Sequence, residues 1–152
     1  MRVTEEELGR WGERIGASTE PPLTLALVGP LGAGKSVLAR AIGRGAGVVD
    51  VMPSPSYNIL FRYAAGLEHE VVHLDLYRVA SVDELWELGW SALGAATEIV
   101  LIEWPERAEG AMPYDYWVVE LSLVEGEPSL RDVSVERVGA PPELAGFPVA
   151  LS

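Results

Sequence analysis

The chain contains no cysteine. That excludes a disulfide framework, a thiolate metal site and a thiol nucleophile. Lysine is nearly absent: Lys35 stands alone, and the other ten basic residues are arginines. Positive charge is scarce altogether, with 11 Lys and Arg against 23 Asp and Glu and a net charge of −12. Gripping a nucleic-acid backbone needs clustered Lys and Arg, so any nucleic acid must be held mainly by a partner. No apolar run approaches the roughly 18 residues that span a bilayer, and the acidic start from Met1 to Glu7 does not read as a secretion signal. A cytoplasmic protein without membrane contact is expected.

The 152 residues, 49% hydrophobic and 22% charged, suffice for one domain with its own core. We place that domain at 1–138 and expect the remainder, 139–152, with Pro141, Pro142 and Pro148, to be a loosely ordered tail.

The chain is organised around Gly29-Pro30-Leu31-Gly32-Ala33-Gly34-Lys35-Ser36, which fits the phosphate-binding pattern G-x-x-x-x-G-K-[ST] at every fixed position. Glycines let the backbone curl until its N–H groups face a phosphate chain. Lys35 supplies a point charge, and the Ser36 hydroxyl is an oxygen ligand suited to Mg²⁺. The surroundings agree. Leu23 to Val28 is a continuous apolar run, as in a buried parallel strand, and Val37, Leu38, Ala41 and Ile42 recur at helical spacing after the loop. A helix beginning there turns its positive end to the phosphates. Arginine's flat fork is a poor substitute for ammonium at such a loop, which suits the single lysine's position.

Elsewhere, Thr4 and Glu7 form a capping box before a helix carrying Leu8, Trp11 and Ile15, which ends between Gly16 and Pro22. The helix after the loop is expected to dissolve in Gly43-Arg44-Gly45-Ala46-Gly47. Pro53-Ser54-Pro55-Ser56-Tyr57 is a rigid turn. Tyr57–Tyr63 and Glu70–Leu76 read as an antiparallel hairpin linked through Ala64-Ala65-Gly66. A second capping box at Ser81 to Glu84 opens a helix with Leu85, Trp86 and Leu88, and Glu98–Glu103 is another buried strand. Tyr116–Val124 and Leu130–Val138 alternate as a second hairpin.

Hydrolysis at such a loop also needs acids, and these belong at the carboxyl ends of neighbouring strands. Asp75 and Glu103 are the candidates, with Trp104 adjoining Glu103. His73, alone in an apolar strand, is read as structural, and His69 as a turn residue.

In this order, the phosphate loop, Ser54-Pro55-Ser56-Tyr57, His73-Leu74-Asp75-Leu76-Tyr77-Arg78 and Leu101-Ile102-Glu103-Trp104-Pro105-Glu106 resemble the bacterial TsaE family over roughly Thr4 to Val138. The resemblance implies an α/β fold: a P-loop NTPase-like core with a mostly parallel sheet, helices on both faces and antiparallel hairpin additions. It implies an ATPase using ATP and Mg²⁺, slow without partners, that supports the TsaD–TsaB pair in making threonylcarbamoyladenosine in tRNA. Contact with tRNA is then indirect, and the isolated chain is expected to be monomeric.

Carried over by position, the resemblance implies that Gly29, Gly32, Ala33, Gly34, Lys35 and Ser36 hold the phosphates. Lys35, Asp75 and Glu103 are the implied catalytic residues, and Ser36, Glu103 and Asp75 the implied metal ligands. By the same resemblance, Ser56 falls where the family has a threonine in a switch-like loop that senses the terminal phosphate, and Arg131, in the last hairpin, is a candidate for the nucleotide edge. The chain departs from the family at Pro30 for aspartate, Ser36 for threonine and Ser56-Tyr57-Asn58 for Thr-Phe-Thr. The serines keep the hydroxyl chemistry, whereas Pro30 has no N–H to donate.

A stand-alone P-loop small-molecule kinase is the alternative reading, but the arginines are scattered rather than gathered into a lid. A GTP switch with an Asn-Lys-x-Asp motif is excluded, because Lys35 is the only lysine. A binding module with a purely structural nucleotide site would not require Ser36, Asp75 and Glu103 together.

Overall fold

The computed structural model describes residues 1–49 and 59–144. Within them a seven-stranded sheet runs in the order β1-β7-β6-β2-β5-β4-β3. Its strands are β1 (Arg2–Thr4), β2 (Leu23–Val28), β3 (Leu60–Ala65), β4 (His69–Asp75), β5 (Glu98–Glu103), β6 (Tyr116–Leu123) and β7 (Leu130–Val138). The central strands β6, β2, β5 and β4 are mutually parallel. β3 and β7 pair antiparallel at the flanks, and β1 closes the β7 side. Both expected hairpins are present: β3–β4, whose first expected residues fall outside the described segment, and β6–β7.

The middle position of β2 explains its composition. Leu23 to Leu27 are all buried, which a strand between two parallel neighbours requires. On one face, the side chains of Leu25, Leu27, Val71, Ile99 and Leu101 pack against helices α1 (Glu5–Ser18) and α2 (Lys35–Ala46). On the other, Val72, Leu74, Val100 and Ile102 pack under the short helix α3 (Val82–Glu87) and two 3₁₀ turns, Trp90–Ala92 and Pro105–Ala108. Helical elements thus flank both faces. No described helix is long and apolar enough to cross a membrane.

The α1 capping box forms as its sequence predicts: Glu7 N–H donates to Thr4 Oγ1 at 3.1 Å, and Thr4 N–H donates to Glu7 Oε1 at 3.0 Å. Leu8, Trp11 and Ile15 are fully buried. The second box does not form. Ser81 stands at the N-cap of α3 without a side-chain hydrogen bond, and the Glu84 carboxylate instead accepts a long 3.5 Å bond from Ala80 N–H.

α2 also outlasts the expected glycine-rich end. It continues to Ala46 and stops at Gly47, whose φ of +105° suits a left-handed cap. Those glycines serve packing. A Cβ on Gly45 would meet the Glu13 carbonyl at 2.0 Å, one on Gly16 the Ile42 carbonyl at 2.0 Å, and one on Gly12 the Ala41 methyl at 2.7 Å. The two helices touch backbone to backbone.

Strand β1 gave no sequence signal, being three residues long with two of them polar. It is held by its register to β7 and by reciprocal 2.7 Å bonds between Met1 and Val133. Beyond Gly139, Ala140 N–H donates to Asp115 Oδ1 at 2.8 Å and the Trp117 indole donates to Pro142 O at 2.9 Å. Residues 145–152 lie outside the described segments.

Candidate functional site

The loop from Gly29 to Gly34 leaves β2 and enters α2. Gly29 has φ +154°, and a Cβ there would meet the Leu121 carbonyl at 2.3 Å, so only glycine fits. Ala33 N–H donates to Pro30 O at 3.2 Å, closing a turn that makes no demand on the missing proline N–H. Gly34, at φ +106°, caps α2 without a side chain, and the first turn of α2 carries no acid. No acid of the helix's own first turn therefore offsets the positive end of α2, which favours an anion at its mouth.

Lys35, the first residue of α2, is buried. Its ammonium donates to the Gly29 carbonyl and lies 3.8 Å above the Trp104 ring. Burial lowers its pKa, while Glu103, Asp75 and Glu106 pull it back up. Trp104 has φ +60°, the only non-glycine residue with positive φ among those described. It precedes Pro105 in a left-handed conformation that costs on the order of 1–3 kcal/mol. Its ring also contacts Tyr77, with centroids 4.9 Å apart.

The two strand-end acids meet here because β4 and β5 run parallel in matching register. Asp75 pairs with Glu103, and Glu103 pairs with Leu27 at the end of β2. Successive side chains along a strand alternate faces, so Asp75 and His73 share the α2 side with Val71, and Glu103 shares it with Leu101. Ser36 Oγ lies 3.4 and 3.5 Å from the two Glu103 oxygens. His73 Nε2 is 2.6 Å from Glu103 Oε2, with both side chains buried. Asp75 Oδ1 accepts from Tyr77 N–H at 3.0 Å. Burial raises the Asp75 pKa, the Tyr77 bond lowers it, and the Glu103 charge adds to the rise.

Gly32, Ala33, Gly34, Lys35, Ser36, Asp75, Glu103 and Arg131 line one cavity of about 620 Å³. Ser56 lies outside the described residues. Among the described residues no three acids or histidines could by themselves hold a metal ion. The oxygens of Ser36, Glu103 and Asp75 suit a hard cation that keeps several ligands from water or a bound phosphate.

Sequence reasoning missed two contributors. The start of α1, with Thr4, Glu5, Glu6 and Leu8, forms part of the cavity wall, which nothing local in the capping box announces. His73 is structural as read, but what it supports is Glu103. Its position two residues before Asp75 on a strand was the available signal, since i and i+2 share a face.

The α/β architecture is shared with the crystal structure of YdiB from Bacillus subtilis. The two superpose with a TM-score of 0.71 at 24% sequence identity, covering 91% of this chain and 84% of that one, and this likeness concerns the fold. Three curated relatives carry the description tRNA threonylcarbamoyladenosine biosynthesis protein TsaE. The Haemophilus influenzae protein is 38% identical over 80% of this chain and 76% of its own length. The Treponema pallidum protein is 28% identical over 86% and 93%, and the Bacillus subtilis protein 29% identical over 90% and 84%. The family model described as Threonylcarbamoyl adenosine biosynthesis protein TsaE matches residues 3–132. The chain belongs to the TsaE family.

Proposed function

We propose that this protein is a Mg²⁺-dependent ATPase serving the synthesis of threonylcarbamoyladenosine in tRNA, where its hydrolysis supports turnover of the TsaD–TsaB pair. The observation that carries the reading is the convergence of Lys35, Ser36, Asp75 and Glu103 on one cavity at the mouth of a glycine loop. Membership of the family supplies the biosynthetic setting.

In this reading the loop is a phosphate-binding loop. Gly32, Gly34, Lys35 and Ser36 present backbone N–H groups to the phosphates while the Ala33 N–H holds the turn onto Pro30 O, and Lys35 leaves the Gly29 carbonyl and the Trp104 ring to neutralise the terminal charge. Ser36 and Glu103 would hold Mg²⁺, with Asp75 beside them, and the ion would supply stabilisation of charge on the phosphate oxygens. His73 keeps the Glu103 carboxylate turned toward Ser36. Asp75, with one oxygen tied to Tyr77 N–H, has its other oxygen available to orient a water.

The net charge of −12 leaves tRNA to the partners. The test is phosphate release from ATP by the chain alone and with the TsaD–TsaB pair and tRNA. Release accelerated by the pair, with multiple rounds of tRNA modification, supports the role. Transfer of the phosphate to a small acceptor would move the protein to the kinases.

A further inference from the structure

Arg131 lies on β7, across the cavity from the acids, and its bonding is unusual. Four of the five N–H groups of its guanidinium are engaged, all by backbone carbonyls. Nε donates to Ala33 O at 3.1 Å and Nη2 to Gly32 O at 3.1 Å. Nη1 donates to Pro128 O at 2.7 Å and to Leu130 O at 2.8 Å. No carboxylate stands among these partners, although the chain has 23 acids for 11 basic residues. One side chain therefore fastens the glycine loop to the turn of the β6–β7 hairpin.

The consequence follows from peptide planarity. A carbonyl and the N–H of the next residue lie in one plane and point in opposite directions. Holding the Ala33 carbonyl on Arg131 turns Gly34 N–H away from the hairpin. Holding the Gly32 carbonyl turns Ala33 N–H the same way, where it closes the turn onto Pro30 O. Gly32 and Gly34, at φ +80° and +106°, are the residues least able to hold a conformation unaided. The restraint they lack comes from a strand 98 residues later in the chain.

We propose that Arg131 is a positioning residue for the phosphate loop. Its fork aims the Ala33–Gly34 peptide plane at an anion and locks the Gly32–Ala33 plane into the turn beneath it, acting through the backbone and not on the nucleoside. The inference rests on the reading that this loop binds the phosphates of ATP.

The experiment compares ADP and pyrophosphate binding by calorimetry in the full chain, for wild type and Arg131→Lys, well below the melting temperature of each. Lysine keeps the charge but cannot fork across two carbonyls. The expected result is that Arg131→Lys weakens both ligands alike, by about tenfold, or about 1.4 kcal/mol. Wild-type affinity in Arg131→Lys would overturn the proposal by leaving charge alone as the requirement. Weakened ADP with unchanged pyrophosphate would overturn it too, placing Arg131 on the nucleoside. A variant that shows no cooperative melting transition at any temperature would assign Arg131 to the fold and equally overturn it. Failure of the wild type to bind either ligand would remove the phosphate-loop reading itself, and this inference with it.

Discussion

The Lys35 ammonium rests 3.8 Å above the ring of Trp104, a residue held at φ +60°. The cation is thus lodged on an aromatic face and a carbonyl, and it can leave both without breaking an ion pair among the described residues. Lys35→Ala is expected to lower phosphate release from ATP by about 100-fold or more, the scale of losing a preorganised electrostatic contact. Lys35→Arg should fail as well, because a planar fork cannot occupy the space of a compact ammonium. Steady-state phosphate release checks both; near-normal activity in either would remove Lys35 from the site.

Glu103 is expected to separate fold from function according to the substitution chosen. Glu103→Gln keeps a hydrogen-bonding group beside His73 Nε2 and should melt near wild type. Glu103→Ala leaves that nitrogen without its 2.6 Å partner, while Nδ1 is already without one among the described residues. That should cost about 1–3 kcal/mol of stability. Both variants should lose hydrolysis. Circular-dichroism melts beside phosphate release distinguish the two effects, and a fully active Glu103→Gln would sink the assignment.

Asp75 carries a pH signature. Burial raises its pKa above the ordinary 3.8, so between that value and the raised one the folded chain holds a proton that the unfolded chain has released. More protons on the folded state means stability falls as pH rises through this window. Asp75→Asn, whose amide oxygen can still accept from Tyr77 N–H, should remove the loss. The variant should gain in melting temperature over wild type at neutral pH and show no such gain near pH 3, below the window. A difference independent of pH would contradict the shift.

Two glycine substitutions should move stability in opposite directions. Gly9 is in α1, and nothing lies within 4 Å of the point a methyl would occupy there. Gly9→Ala should therefore stabilise by about 0.5–1 kcal/mol through helix propensity. Gly45→Ala would drive a methyl into the Glu13 carbonyl and should destabilise by about 1–3 kcal/mol. Thermal melts of the two variants side by side check the pair.

What could be read from the sequence divides by the range of the interaction. The glycine loop, the buried runs of β2 and β5, the Thr4–Glu7 cap and both hairpins are local patterns, and each appears where its residues put it. Strand-end logic likewise placed Asp75 and Glu103 together before their register was known. The Ser81 cap failed because a capping box requires a side-chain rotamer that the residue pattern alone does not guarantee. Strand β1, the His73–Glu103 contact and the Arg131 fork were hidden for another reason. Each joins residues 30 or more positions apart, and no periodicity within one segment encodes its distant partner.

The glycine contacts between α1 and α2 bear on the breadth of the cavity. Thr4, Glu5, Glu6 and Leu8 ride at the start of α1, while Lys35, Ser36 and Val37 ride at the start of α2. Gly12, Gly16 and Gly45 fix how near the two helices approach, yet none of them lines the cavity. The aperture offered to a ligand is therefore dimensioned by residues that no ligand touches. A single methyl at that seam would prise the two walls apart with every contacting side chain still in place.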